Sequence, residues 1–297
     1  MRVALLATAL AFTLAGCATT APTASAPTPA PAAARTQEDP PADDTRNAVA
    51  WFQTSAERDL VFRTVYRGAG RSLDAALADP SWDALPKEDR IAPVKGLAPA
   101  IIVDVDETVL DNSPAQVRQI FARGDFDDAQ WNAWVAQARA KALPGAVEFL
   151  GAAARRGVTV FYVTNRDVEG VPATIANLRH AGFPVESDAQ VLPKGMQVEG
   201  CTPKGSSKSC RRQLVGRTHR VLMQFGDQVG DLVEIANNTQ DGRRAAVAPY
   251  DAWIGERWFV LPNPMYGSWE PALFGNDATL PAAQRRAKKD AALDTAE

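Results

Sequence analysis

The stretch IIVDVDETVLDNS, Ile101 to Ser113, constrains the fold of this 297-residue chain more than any other. Ile101, Ile102 and Val103 make a short apolar run, the pattern of a strand buried on both faces, and it ends at once in Asp104, Asp106 and Asp111. Carboxylates that close repel one another unless a cation, a proton or a donor lies among them. A buried strand opening onto crowded acids therefore predicts a site at the edge of a sheet.

The rest of the chain supplies partners for such a strand. VTVFYVTNRD and HRVLMQFGDQVGDL read as two more buried strands with polar tips, and RWFVLPN as a late one. Between them, PGAVEFLGAAARRG reads as a helix with Pro144 near its start and Gly157 as its stop, VPATIANLRHAGFP as a helix closed by Gly182, and SCRRQLVGRT as a short one. From about Ala48 to Ala78, apolar residues such as Val49, Phe52, Leu60, Phe62, Val65, Leu73 and Leu77 recur at helical spacing, predicting one or two structural helices. Alternating strands and helices predict an α/β fold with a parallel, doubly wound sheet, whose ligand site lies beyond the C-terminal ends of its strands. All three polar tips fall at that edge. The segment NPMYGSWEPALFG is too rich in Pro and Gly for regular structure, and the tail after Leu280 reads as a frayed helix or disorder.

The N-terminus has a different character. In MRVALLATALAFTLAGC, Arg2 precedes an apolar run to Leu14 and small residues ending at Cys17, which is a secretory signal and no part of the fold. Its ending, LAGC, resembles a bacterial lipobox, which implies acylation of Cys17 and a membrane anchor. Ala18, where Asp would retain such a protein, implies the outer membrane of a Gram-negative envelope. Residues 18–45, rich in Ala, Pro and Thr, read as a disordered tether. The folded part is then expected over residues 46–280, with a flexible tail over 281–297. Its 46 % hydrophobic content suffices for a packed core, and a formal charge of -3 without basic runs argues against a nucleic-acid polymer as partner. Cys201 and Cys210 share a loop: in an oxidising compartment they form a disulfide or remain two free thiols, and zinc is disfavoured because no second ligand pair flanks them.

The acids at Asp104 and Asp106 admit three readings. A calcium loop fails, since Val109 stands where Gly is needed and Ala115 where a bidentate Glu is needed. A cluster capping the helix SPAQVRQIF is ordinary chemistry. The third reading is catalytic: DVDETV resembles the first motif of the haloacid dehalogenase (HAD) superfamily of phosphohydrolases. The resemblance implies that Asp104 attacks phosphorus and that Asp106 serves as general acid and base, the proton donor that an alcohol leaving group needs. It further implies that Thr164 in VTNRD binds a phosphoryl oxygen and that a Lys offsets the transferred charge. Lys194, Lys204 and Lys208 are candidates, with Lys208 preferred because KSCR opens a helix before the next acidic tip. In GDQVGDL, Asp227 would bind Mg2+ together with Asp104 and the main-chain carbonyl of Asp106, while Asp231 would orient a water ligand or the Lys.

DETVLDNSP, WNAWV, PGAVEFL, YVTNRD, the Lys208 segment, GDQVGDL and PNPMYGSWE together resemble the class C acid phosphatases, outer-membrane lipoproteins that act as nonspecific phosphatases and 5'-nucleotidases. The likeness runs from about Ala48 to Phe274 and implies a HAD-like Rossmannoid sheet with a small, mainly helical cap. It also implies Mg2+-dependent hydrolysis of phosphomonoesters such as nucleoside monophosphates and nicotinamide mononucleotide, with a homodimer as a possible assembly. Aromatic cap residues stack on the substrate ring in that family; the matching positions are Trp131 and Tyr266, and less directly Phe126, though Trp and Tyr also serve as packing anchors, the reading preferred for Trp134 and Trp269. The loop from Met196 to Ser207 is longer than the family pattern. A His phosphatase is excluded because LRHAGFP lacks the Gly and second Arg of that motif, and no nucleophile elbow supports a Ser hydrolase. The remaining alternative is a surface lipoprotein that binds a small ligand or haem on the same fold without catalysis.

Overall fold

The computed structural model describes residues 45–296. The segment expected to be a signal, Cys17 and the Ala/Pro/Thr-rich stretch up to Asp44 lie outside the described residues, among which no helix is long and apolar enough to cross a membrane. Two helices open the described part, α1 (Arg46–Thr54) and α2 (Ala56–Ala78). They break at Ser55, whose extended backbone ends one helix while its side chain accepts from Arg58 N to cap the next.

Strand β1 (Ala98–Val103) leads into a two-residue strand β2 (Leu110–Asp111), helices α3 (Ser113–Ala122) and α4 (Asp128–Val135), and the short strand β3 (Lys141–Ala142). Helix α5 (Ala146–Arg155), strand β4 (Thr159–Asp167), helix α6 (Val171–His180), strand β5 (Val191–Lys194), helix α7 (Ser209–Thr218), strand β6 (His219–Gly226), the one-turn helix α8 (Val229–Leu232), helix α9 (Gln240–Val247), strand β7 (Trp258–Val260) and helix α10 (Ala282–Asp290) complete the order. The main sheet runs β5-β4-β1-β6-β7 and every pairing in it is parallel. This is the expected doubly wound α/β arrangement.

The central strand shows why the run at Ile101 is apolar throughout. Ile101 and Val103 join one core cluster and Ala100 and Ile102 the other, as alternation across a strand covered on both faces requires. Helices α2 and α5 pack on the first face, where Tyr66 stacks on Phe225 at 5.4 Å, and α7 and α8 lie against β6 with the second cluster. An Ile101→Ala change would leave a cavity beneath the site, at a cost of about 2–5 kcal/mol.

Register carries the polar tips to one edge. Val103 pairs with Tyr162 on one side and with Phe225 on the other, so Asp104, Thr164 and Asp227 each follow within two residues of one level. The antiparallel pair β2 and β3 is the stem from which α3 and α4 extend, the small helical cap the sequence implies.

Candidate active site

Asp104 continues its strand, its N–H donating to Phe225 O at 3.0 Å, and the residue is only 6 % exposed. Lys208, the residue before α7 and 2 % exposed, donates its Nζ to Asp104 and also pairs with Asp231 at 2.6 Å. Asp231 can come so close because residue 226 is glycine: a Cβ there would lie 2.3 Å from the Asp231 carboxylate. The Gln228 N–H donates to Asp231 at 2.8 Å, while Asp227 accepts from Gln228 Nε2 at 2.9 Å and from Asn263 Nδ2 at 2.8 Å. Of the three candidate lysines, Lys208 alone is buried among the acids; Lys204 is exposed and Lys194 pairs with Asp167 at 2.9 Å on the neighbouring strand.

Electrostatics answer the question raised by the crowded acids. Burial pushes the Asp104 carboxyl up to about 7, Lys208 opposing the rise while Asp231 and Asp106 add to it. Burial, then Asp231 and Asp104, raise Asp227 as well. Burial works to lower Lys208, but Asp104 and Asp231 outweigh it and hold the ammonium above its ordinary range. One lysine therefore does not balance the carboxylates. Asp104, Asp227 and Asp231 each offer an oxygen within 4.8 Å of the others, an all-oxygen set that suits a hard divalent cation. Because Asp231 already receives Lys208 and the Gln228 N–H, the carboxylates with capacity left for a metal are Asp104 and Asp227.

Asp106 points elsewhere. Its Oδ1 accepts from Arg166 Nε at 3.0 Å, Arg166 NH2 at 2.8 Å and Asn112 Nδ2 at 2.8 Å, and its Oδ2 lies 3.4 Å from Thr164 Oγ1. Thr164 is buried and accepts the Arg166 N–H at 3.1 Å, which leaves its own hydroxyl proton to be donated. Trp131, half-buried on α4, lies 6.4 Å from Phe126 and 5.9 Å from the Arg166 guanidinium, so the cap aromatic sits over the partner of Asp106. Phe126 is 58 % exposed. Tyr266 reaches the other side, its carbonyl accepting from Gln228 and its N–H donating to Asn263, the two residues that hold Asp227. Trp134 is buried and donates to Asn112 at 2.8 Å, the packing anchor expected of it, whereas Trp269, expected to be another, lies at the surface.

Several residues that build the site escape a reading of the sequence. Glu107 is fully buried at positive φ, its Oε1 accepting the Asn112 N–H, with burial driving its carboxyl upward; it closes the loop after Asp106 from inside. Arg211 donates to Thr164 O and to Asn165 Oδ1, and Arg212 joins Asp89 to the carbonyls of Gly230 and Asp231. Together they fasten α7, and with it Lys208, to both neighbouring strand tips. Cys210, in the first turn of α7, is disulfide-bonded to Cys201. Only long-range contacts distinguish these arginines from surface charge, so local pattern holds no signal for them.

A family model described as the acid phosphatases of HAD subfamily IIIB matches residues 21–269. The solved class C acid phosphatase from Bacillus anthracis is 32 % identical, covers 84 % of this chain and 96 % of its own, and superposes with a TM-score of 0.72; the same protein with tungstate bound gives 0.71 at 32 % identity over the same shares. Acid phosphatase 1 of Solanum lycopersicum is 28 % identical over 165 residues, 56 % of this chain and 57 % of that protein. The stem 31 kDa glycoprotein of Glycine max is 28 % identical over 167 residues, 56 % and 58 % of the two. The chain thus matches a little over half the length of these curated relatives. With the fold, the acidic crevice and a family match across most of its length in agreement, this chain belongs to the acid phosphatases of HAD subfamily IIIB.

Proposed function

We propose that this protein is an acid phosphatase that hydrolyses small phosphomonoesters, among them nucleoside monophosphates and nicotinamide mononucleotide, through an aspartyl-phosphate on Asp104 with Mg2+ as cofactor. The observation that carries the reading is the division of labour between two acids two residues apart. Asp104 faces Lys208 and the metal-suited acids, whereas Asp106 is turned to Arg166, Asn112 and Thr164. A binding site alone would not need one carboxylate arranged to meet phosphorus and a second kept apart from it.

In the first half-reaction Asp104 forms a bond to phosphorus as the bond to the ester oxygen breaks, and Asp106 gives a proton to the departing alkoxide. Lys208 and the Thr164 hydroxyl stabilise the equatorial phosphoryl oxygens, where charge spreads in such transfers. In the second half-reaction Asp106, now a carboxylate, takes a proton from the water that releases phosphate. Mg2+ held by Asp104, Asp227 and the Asp106 carbonyl would polarise the phosphate and offset the crowded charge. The tungstate in the Bacillus anthracis neighbour, a tetrahedral oxyanion like phosphate, is consistent with such a site. Trp131, Phe126 and Tyr266 supply aromatic faces for a base or nicotinamide ring, and Cys17 an anchor in the outer membrane.

The test is phosphate release from AMP, nicotinamide mononucleotide and a chromogenic phosphomonoester, with Mg2+ and with chelator, for the wild-type protein and Asp104→Asn. Release that requires both metal and Asp104 is expected. Failure to turn over any of the esters would transfer the reading to a ligand-binding lipoprotein. Labelling with radioactive palmitate, lost in Cys17→Ala, checks the anchor.

A further inference from the structure

The hydrogen bonds around Asp106 are lopsided. Oδ1 receives three N–H donors, two from Arg166 and one from Asn112, while Oδ2 has the Thr164 hydroxyl at 3.4 Å as its one neighbour of this kind among the described residues. Guanidinium and amide N–H groups only donate. An oxygen facing three of them has no direction left in which to carry a proton.

The orientation of Asn112 is itself enforced. Trp134 Nε1, at 2.8 Å, and Arg166 NH2, at 3.2 Å, both converge on Asn112 Oδ1, and an atom that meets two donors must be the amide oxygen. The Asn112 amide nitrogen is therefore the atom turned to Asp106. Arg166 is just as constrained: it is 2 % exposed, and its NH1 donates to Thr174 Oγ1 at 3.1 Å.

We propose that Arg166 and Asn112, the latter set by Trp134, are positioning residues that saturate Asp106 Oδ1 and so reserve Oδ2 as the atom that passes the proton to the leaving group. This rests on Asp106 being the acid of the proposed reaction. As the Asp104–phosphorus bond forms and the ester P–O bond breaks, that electron pair goes to the alkoxide oxygen. The proton on Asp106 Oδ2 moves to the same oxygen, and the carboxylate left behind faces the Arg166 guanidinium. A pair that only held the loop together would slow every substrate alike.

The distinction is read from kcat/KM, which reports steps up to departure of the alcohol. AMP loses a basic alkoxide that needs the proton; 2,4-dinitrophenyl phosphate loses a stable anion that does not. In Arg166→Lys and Asn112→Ala, kcat/KM for AMP is expected to fall about 100-fold and that for the dinitrophenyl ester by less than about threefold, the selectivity of a lost general acid. Trp134→Phe keeps an aromatic ring but removes the N–H that sets Asn112, at the cost of a small void, so it is expected to show the same selectivity at smaller size even where the other two fail to fold. Asp106→Ala is the benchmark. Equal losses on both esters in the positioning variants, alongside a selective loss in Asp106→Ala, would overturn the inference and leave the proposed function standing. Equal losses in Asp106→Ala as well would remove Asp106 as the acid, and the inference with it.

Discussion

The floor of the crevice and the cap above it are built by opposite means. On the floor, Asp104, Thr164, Lys208 and Asp231 are buried; Lys208 pairs with both Asp104 and Asp231, and the Asp104 N–H donates to Phe225 O of the neighbouring strand. On the cap, α3 and α4 hang from a two-residue strand pair, and Phe121 and Phe126 are 71 % and 58 % exposed. Groups that must meet phosphorus within a few tenths of an ångström gain from a rigid, dehydrated setting. Groups proposed to accept several ring systems do not. Floor substitutions should therefore remove turnover for every substrate, and cap substitutions should change which substrates are preferred.

The largest effect is expected at the proposed nucleophile. Asp104→Asn keeps the size of the side chain and removes its nucleophilicity, so kcat is expected to fall by at least about 10,000-fold on every ester tested. Phosphate release under saturating substrate measures it, and substantial residual turnover on even one ester would break the uniformity claimed for the floor. Lys208→Met comes next. It leaves Asp104 and Asp231 facing each other without their shared cation and strips a charge from the phosphoryl oxygens, so a loss of about 100- to 1,000-fold in kcat is expected. The loss should again be independent of the leaving group's ring.

The cap gives the contrasting case. Trp131→Ala removes a half-buried indole that adjoins Phe126, and a lost base-stacking contact is worth about 1–3 kcal/mol. KM for AMP is expected to rise about tenfold, with kcat and the KM for a small ester lacking a ring little changed. A parallel fall in kcat for both would mean that Trp131 acts through Arg166, 5.9 Å away, and that cap and floor are not separable.

What the sequence disclosed follows the same division. Asp104, Asp227 and Thr164 were legible because each stands at the end of an apolar run, and a run and its tip are neighbours in the chain. Lys208 is legible because it opens a helix, and Cys201 with Cys210 because they are near in the chain, though the disulfide ties the loop to the first turn of α7 rather than closing a loop that holds both. Arg166 and Asp106 are 60 residues apart and Arg212 and Asp89 are 123 apart, and no periodicity relates such pairs. Glu107 stood among other acids and gave no sign that it alone is wholly buried in a left-handed turn. Lys194 stands out in the sequence only as a candidate lysine, yet Val191–Lys194 is the edge strand β5, too short for a pattern. The C-terminal tail forms α10, where Arg285 reaches Asp125 at 2.9 Å and Lys289 pairs with Glu270. Those contacts, like the arginine pairs, exist only after folding.

The smallest effect expected is on stability, and it asks whether the floor's crowded charge waits for a metal. Burial raises Asp104 to about 7, against 3.8 for an unperturbed Asp, so between those values the folded chain holds a proton that the unfolded chain has released. The stability tied to that proton is complete below about pH 3.8 and is lost as pH rises through 7; Asp227, raised for the same reasons, acts in the same direction. In chelator, Tm is therefore expected to fall by roughly 5 °C between pH 5 and pH 8. Mg2+ favours the deprotonated acids, so adding it should raise Tm more at pH 8 than at pH 5. Thermal melts at the two pH values, with and without metal, measure this. Asp104→Asn should flatten the slope in chelator, while Trp131→Ala, a change confined to the cap, should leave it as it was. An equal Mg2+ shift at both pH values would mean that Lys208 already keeps the acids deprotonated at pH 5, and no shift at either would mean that the floor is complete without a cation.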